Sequence, residues 1–114
     1  MATWTTLCLN KEFRTLYYRG KSQVHPALVT YVRKNRFGQP RVGITTGKKL
    51  GHAVVRNKAR RRLREVYRLN EALFKPGFDI VVVARHKCIT ADFQKLSKAY
   101  LSLAEKAGIL EATQ

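Results

Sequence analysis

The side chains that could carry chemistry divide into a few acids and many bases. Seven are acidic (Glu12, Glu65, Glu71, Asp79, Asp92, Glu105 and Glu111), and no two recur at a spacing that would hold the paired metals of a protein nuclease. His25, His52 and His86 do not cluster with one another in sequence, so a structural or ligand-facing role suits each better than general-base catalysis. Cys8 and Cys88 lie far apart and outside any Cys-x-x-Cys, the pattern of free structural thiols rather than of a disulfide scaffold or a zinc module.

The bases are another matter. Lys and Arg number 23, for a formal charge of +16 over 114 residues and a pI of about 10.6. A chain so far from neutrality repels itself when compact, and a polyanionic partner is the usual reason such a sequence is tolerated. Nine of the 23 fall between Lys48 and Arg68, with Glu65 as the one acid in that stretch. At about 100° per residue, Ala59, Leu63, Val66, Leu73 and Phe74 share one arc of a helix, and Asn57, Arg60, Arg61, Arg64 and Arg68 a neighbouring one. Arg56, Arg60, Arg64 and Arg68 stand four apart, where like charges repel by a few tenths of a kcal/mol per pair. Guanidinium groups in a row, about 6 Å apart, match the scale of a phosphate backbone, and each planar fork can grip two oxygens. This face is read as a nucleic-acid contact. Composition does not separate RNA from DNA. Phe13, Tyr17 and Tyr31 could form a platform on which unpaired bases stack, or could be core aromatics; spacing leaves both open.

The elements that must position these residues follow from periodicity. Asn10 and Glu12 start a short helix with Phe13, Leu16 and Tyr17 on one face, and Gly20 stops it. Residues 21–34 are β-rich and broken at His25-Pro26. Turn chemistry over 35–40 leads to a strand from Arg41 to Thr46, which predicts an antiparallel hairpin of these two strands. A basic loop, Gly47 to Gly51, precedes a long helix from His52 or Ala53 to about Phe74, ended by Pro76-Gly77. Phe78 to Arg85 reads as a central strand buried on both faces. Thr90 is expected to cap a last helix carrying Phe93, Leu96, Tyr100, Leu103 and Ala107, closed by Gly108. The fold class is therefore α+β: a single domain over 1–114, in the order helix-strand-strand-strand-helix-strand-helix, with one central sheet packed with helices. The ends, about 1–8 and 109–114, are expected to be flexible. The longest apolar run, Ile80 to Ala84, is far too short to span a membrane, and nothing in Met1–Asn10 has the make-up of a signal peptide, so a cytoplasmic location is expected.

The segment Arg41 to Arg68, RVGITTGKKLGHAVVRNKARRRLREVYR, closely resembles the signature of the bacterial ribonuclease P protein component. Asn10 to Gly20, the strand containing Tyr31, and Asp79 to Arg85 resemble the same family in the same order, so the likeness spans about residues 9–104. It implies the protein subunit of a ribonucleoprotein that removes the 5′ leader of precursor tRNA. Its RNA subunit would perform the Mg2+-dependent hydrolysis, making the whole an endoribonuclease while this chain supplies no catalytic residue. The implied partners are the ribonuclease P RNA and precursor tRNA, with no membrane and no protein partner required. Mg2+ would be held by RNA and substrate rather than by the protein.

By the same likeness, the catalytic RNA would meet Arg56, Asn57, Lys58, Arg60, Arg61 and Arg64, a face that the helical pattern extends to Arg68. The leader would lie in a cleft between the first helix and the sheet, against Phe13, Tyr17 and Tyr31, with Lys48, Lys49 and Arg85 at the rim. Lys58 stands where the family has a third arginine, which keeps the charge and loses the fork; Gly47 and His52 also depart from the usual residues. A left-handed strand-helix-strand crossover is expected from the family alone. The alternative is a ribosomal or general RNA-binding protein with no part in cleavage. If the chain supplies no chemistry, its contribution is binding energy: screening of RNA–RNA repulsion and preference for substrate that still carries a leader.

Overall fold

The strand Phe78–Ala84 (FDIVVVA) is apolar at nearly every position, and a strand can bury such a run only in the middle of a sheet covered on both faces. The computed structural model places it there. Residues 5–6, 10–36, 38 and 40–110 are described, apart from the side chains of 5–6, 10–13 and 48. The elements run β1 (Thr5–Thr6), α1 (Asn10–Arg19), β2 (Lys21–Val24), β3 (Leu28–Lys34), β4 (Arg41–Thr45), a 3-10 turn (Lys48–Leu50), α2 (Ala53–Asn70), a second 3-10 turn (Glu71–Leu73), β5 (Phe78–Ala84), α3 (Lys87–Thr90) and α4 (Phe93–Lys106). The five-stranded sheet has the order β1-β4-β5-β3-β2: four longer strands and a two-residue edge strand.

Two sequence expectations about this sheet are corrected. β3 and β4 do not form a hairpin, because β5 lies between them, antiparallel to β3 and parallel to β4. The most apolar strand takes the centre, and the two flanking strands bury their inner residues against it. The hairpin is instead β2–β3, with its turn at His25–Pro26, where the His25 backbone exchanges hydrogen bonds with Leu28. Thr5–Thr6, counted among the flexible ends, pairs in parallel with Arg41–Val42; residues 1–4 and 7–8 of that expected end lie outside the described ones.

Side chains of β5 alternate between two cores. Ile80, Val82 and Ala84 face α2 and α4 in the larger one, with Leu28, Val32, Val42, Ala59, Leu63, Val66, Leu96 and Leu103. Val81 and Val83 face α1 in the smaller one, against Leu16 and Tyr31. Gly20 lets α1 end directly above the sheet: a Cβ there would lie 2.4 Å from the Leu16 carbonyl oxygen, which already accepts from the Gly20 amide at 2.8 Å. Gly51, at φ +133°, makes the turn that starts α2.

Helix ends also differ from the periodicity. α2 stops at Asn70 and a 3-10 turn takes the chain to Leu73, leaving Leu73 half exposed although it lies on the apolar arc. Tyr67, absent from that arc, is fully buried, with its ring 4.8 Å from that of Phe74. Thr90 closes α3 and does not cap the last helix, whose N-cap position is Asp92. The C-terminal segment was expected to fray from 109, yet Ile109 is buried, its carbonyl accepts from the Lys75 amide at 2.7 Å, and Leu110 bridges to Phe74. Burial of Ile109 and partial burial of Leu110 hold it down; residues 111–114 lie outside the described ones.

Candidate RNA interface

α2 is amphipathic by construction. Ala59, Leu63, Val66 and Tyr67 anchor its inner side, so all of its basic residues but Arg62 lie on the outer side. Three kinds of basic residue result on that outer side. Arg56 and Arg60 are tied to the end of β4: Arg56 Nε donates to the Thr46 carbonyl at 3.2 Å, while Arg60 Nη2 donates to Thr46 Oγ1 at 2.8 Å and Nη1 to Asn57 Oδ1 at 3.2 Å. Arg68 is paired with Glu65, from Nε at 3.0 Å and through Nη2 as well. That hydrogen bond holds the Glu65 carboxyl below its ordinary range and raises Arg68. Lys58, Arg61 and Arg64 are exposed and have no side-chain partner among the described residues. The row of positive charge thus meets an acid at its last position.

Arg62 faces the opposite way. Its Nη1 donates to the carbonyls of Cys88, at 3.0 Å, and Ile89, and its Nη2 to that of Ala91, satisfying the C-terminal carbonyls of α3. It is a structural clamp between the basic helix and α3. Periodicity could have separated it, since at about 100° per residue it falls beside Ala59 and Val66 rather than on the outer arc.

The sheet's other face carries the aromatic residues. The Tyr17 and Tyr31 rings meet edge to face with centroids 4.9 Å apart, and Tyr17 keeps 42% of its surface exposed. The pair is neither a sealed core nor a free platform: Tyr31 packs on Val81 and Val83 while Tyr17 presents part of its ring to solvent. The side chain of Phe13 lies outside the described residues.

Val83 links this pair to a cavity of about 400 Å³ lined also by Gly47, Lys49, Leu50, Arg85 and Lys87. Two expected rim residues, Lys49 and Arg85, therefore meet across one opening; the side chain of Lys48 is outside the described residues. Lys87 was missed because α3 is only four residues long, too short to leave a periodic signal. The N-terminus of α2 opens nearby with His52 at the N-cap, no side-chain cap and no acid in its first turn. Its partial positive charge adds to that of the lysines.

Among the described residues no group of three or more His, Cys, Asp or Glu could hold a metal ion. Two of the acids are already paired: Asp79 accepts from Arg41 Nε and Nη2 at 2.8 and 2.7 Å and from Asn35 Nδ2 at 2.8 Å, and Glu65 from Arg68. Nor is any helix among the described residues long and apolar enough to cross a membrane.

A basic helix packed on a sheet of this order, with a half-exposed tyrosine pair on the opposite face, is a pattern for which known proteins can be compared directly. The sequence model of the Ribonuclease P family matches residues 1–108. The chain belongs to the ribonuclease P protein family. It is 46% identical over 101 residues to the ribonuclease P protein component of Clostridium botulinum (strain 657 / Type Ba4), covering 88% of this chain and 91% of that one. It is 37% identical over 103 residues to that of Alkaliphilus oremlandii, covering 90% of each. The ribonuclease P protein of Thermotoga maritima superposes with a TM-score of 0.80 at 34% identity, over 89% of this chain and 96% of the other. That of Staphylococcus aureus gives 0.83 at 27% identity, over 97% and 100%. The chain is thus a protein subunit of ribonuclease P, acting in tRNA 5′ processing with the chemistry carried by the RNA subunit. Family membership decides against a general RNA-binding protein unconnected with cleavage.

Proposed function

We propose that two surfaces of this subunit divide the work of the holoenzyme. The outer face of α2 grips the catalytic RNA through Arg56, Asn57, Lys58, Arg60, Arg61 and Arg64, with Arg68 joining when its pairing to Glu65 opens. The groove beside Tyr17 and Tyr31 takes the 5′ leader of precursor tRNA, Phe13 belonging to the same helical face, with Lys48, Lys49 and Arg85 meeting leader phosphates. Mg2+ is held by the RNA subunit and the substrate. The carrying observation is that Lys58, Arg61 and Arg64 stand exposed and unpaired among the described residues, on a helix whose inner side is locked in the core.

In this division α2 neutralises phosphates where RNA helices crowd together, and counterion release supplies the affinity. The groove adds binding energy that only leader-bearing substrate can use, so product, which lacks the leader, leaves. Thr46 fixes two guanidinium groups before RNA arrives, reducing the side-chain entropy lost on binding.

The test is reconstitution. The RNA subunit alone and with this chain are given precursor and mature tRNA across a Mg2+ series. The chain is expected to lower the Mg2+ needed for leader release and to tighten precursor binding without tightening mature tRNA. Equal tightening of both, or leader release by the chain without RNA, would overturn the proposal.

A further inference from the structure

A further concavity of the molecule lies apart from the tyrosine groove. It is an open cavity of about 740 Å³ between α1 and β3, lined by Arg14, Thr15, Tyr18, Arg19 and Arg33. Its helical residues form a stripe about 150° round α1 from Phe13 and Tyr17, so it opens on a different side of that helix.

Two observations make it more than a dent between elements. The first is electrostatic. Arg33 stands directly across from Asp79 in the β3–β5 register, where a cross-strand ion pair would ordinarily form. Asp79 is already spent: Arg41 takes both its oxygens in a fork and Asn35 shares one of them. Arg33 is left to the cavity, and Arg14, Arg19 and Arg33 have no carboxylate partner among the described residues. Three guanidinium groups around one opening repel each other unless an anion sits among them.

The second is Tyr18. Its side chain is 90% exposed and is flanked by Arg14 one turn before it and Arg19 beside it. A bare aromatic ring among cations suits a nucleic-acid base, whose face stacks on the ring while its phosphate meets the guanidinium groups. The volume suffices for one such unit, since ligand pockets begin at about 300 Å³.

We propose that this cavity is a second RNA site, in which Arg14, Arg19 and Arg33 hold the phosphodiester of an unpaired nucleotide while its base stacks on Tyr18. The proposal rests on the chain's role as an RNA-binding subunit and adds a binding point apart from both α2 and the tyrosine groove. The nucleotide could come from the leader beyond the groove or from the RNA subunit, and the experiment separates these sources.

Arg14, Tyr18 and Arg19 are all exposed, so Tyr18→Ala, Tyr18→Phe and the double variant Arg14→Gln/Arg19→Gln should fold. Each is reconstituted with the RNA subunit, and both assembly and binding of precursor tRNA with short and long leaders are measured over a salt series. Tyr18→Ala is expected to weaken binding about tenfold and Tyr18→Phe to leave it intact. The double variant should lower the log–log salt slope by about 0.7 for each phosphate that the protein no longer neutralises. Loss confined to long leaders supports the leader as the source; loss in assembly irrespective of leader supports the RNA subunit. Wild-type behaviour in both arms, with Arg64→Ala still weakening assembly, overturns this site alone. Wild-type behaviour of Arg64→Ala and Tyr17→Ala as well overturns the reading on which it rests.

Discussion

Arg60 of α2 donates from Nη2 to the hydroxyl of Thr46, 2.8 Å away just past the end of β4. Four residues earlier, Arg56 donates to the carbonyl of the same threonine at 3.2 Å. One buried residue thereby orients two guanidinium groups. Thr46→Val keeps the shape and the carbonyl and removes the hydroxyl. It is expected to weaken assembly with the RNA subunit about fivefold, the equivalent of about 1 kcal/mol, with the salt slope unchanged because no charge is removed. Arg60→Ala should instead lower the slope by about 0.7–0.9. Equal slopes for the two variants would show that Arg60 meets no phosphate.

Glu65 restrains Arg68 on the exposed face of the same helix. Glu65→Gln frees that guanidinium and removes one negative charge. Assembly should tighten severalfold at low salt and the salt slope steepen, with little change in thermal stability, because exposed ion pairs contribute little. Weaker assembly on titrating RNA into the variant would mean that Arg68 works only when held by Glu65.

Tyr17 is exposed enough to be removed without opening the core. Tyr17→Ala should cost about 1–3 kcal/mol in affinity for precursor tRNA and nothing for mature tRNA, while Tyr17→Phe, which keeps the ring against Tyr31, should bind as wild type. Parallel losses for both tRNAs in filter binding would assign Tyr17 to packing alone.

Ile109 closes the C-terminal end of the larger core. Ile109→Ala should lower the unfolding free energy by about 2–4 kcal/mol in urea titrations, whereas deletion of 111–114 should change it little. An unaltered midpoint for Ile109→Ala would show that the Lys75–Ile109 backbone bond, not the side chain, secures this end.

Burial pushes the Cys88 thiol up to about 11 from an ordinary 9.0, the nearby Arg62 opposing that only in part. A folded-state value above the unfolded one favours the protonated thiol in the native chain. The associated stability is present below pH 9 and is lost between about pH 9 and 11, as the unfolded thiol ionises and the folded one does not. Tyr67 and Tyr100 are shifted upward by burial too, and extend the loss to higher pH. Thermal midpoints should therefore fall above pH 9, less steeply in Cys88→Ala. Identical pH profiles for wild type and variant would exclude Cys88 as a contributor.

Much of this molecule is written locally. Ala59, Leu63 and Val66 on the inner side of α2, the buried run of β5, the break at His25–Pro26 and the stop at Gly20 each depend on neighbours within a few residues, and each is where periodicity and turn chemistry place it. The concentration of arginine on one helix is likewise a local property, and with the family signature it identified the protein's class. What only the tertiary structure decided was pairing at a distance. Placing β5 between β3 and β4 reflects competition among strands for the most apolar neighbour, which no single segment encodes. Which arginines remain available depends on where distant acceptors fall: Arg62 meets the carbonyls of α3, Arg56 and Arg60 meet Thr46, and Asp79 chooses Arg41 over Arg33. A charge counted in sequence is only a quantity; folding assigns it a partner or leaves it for a ligand.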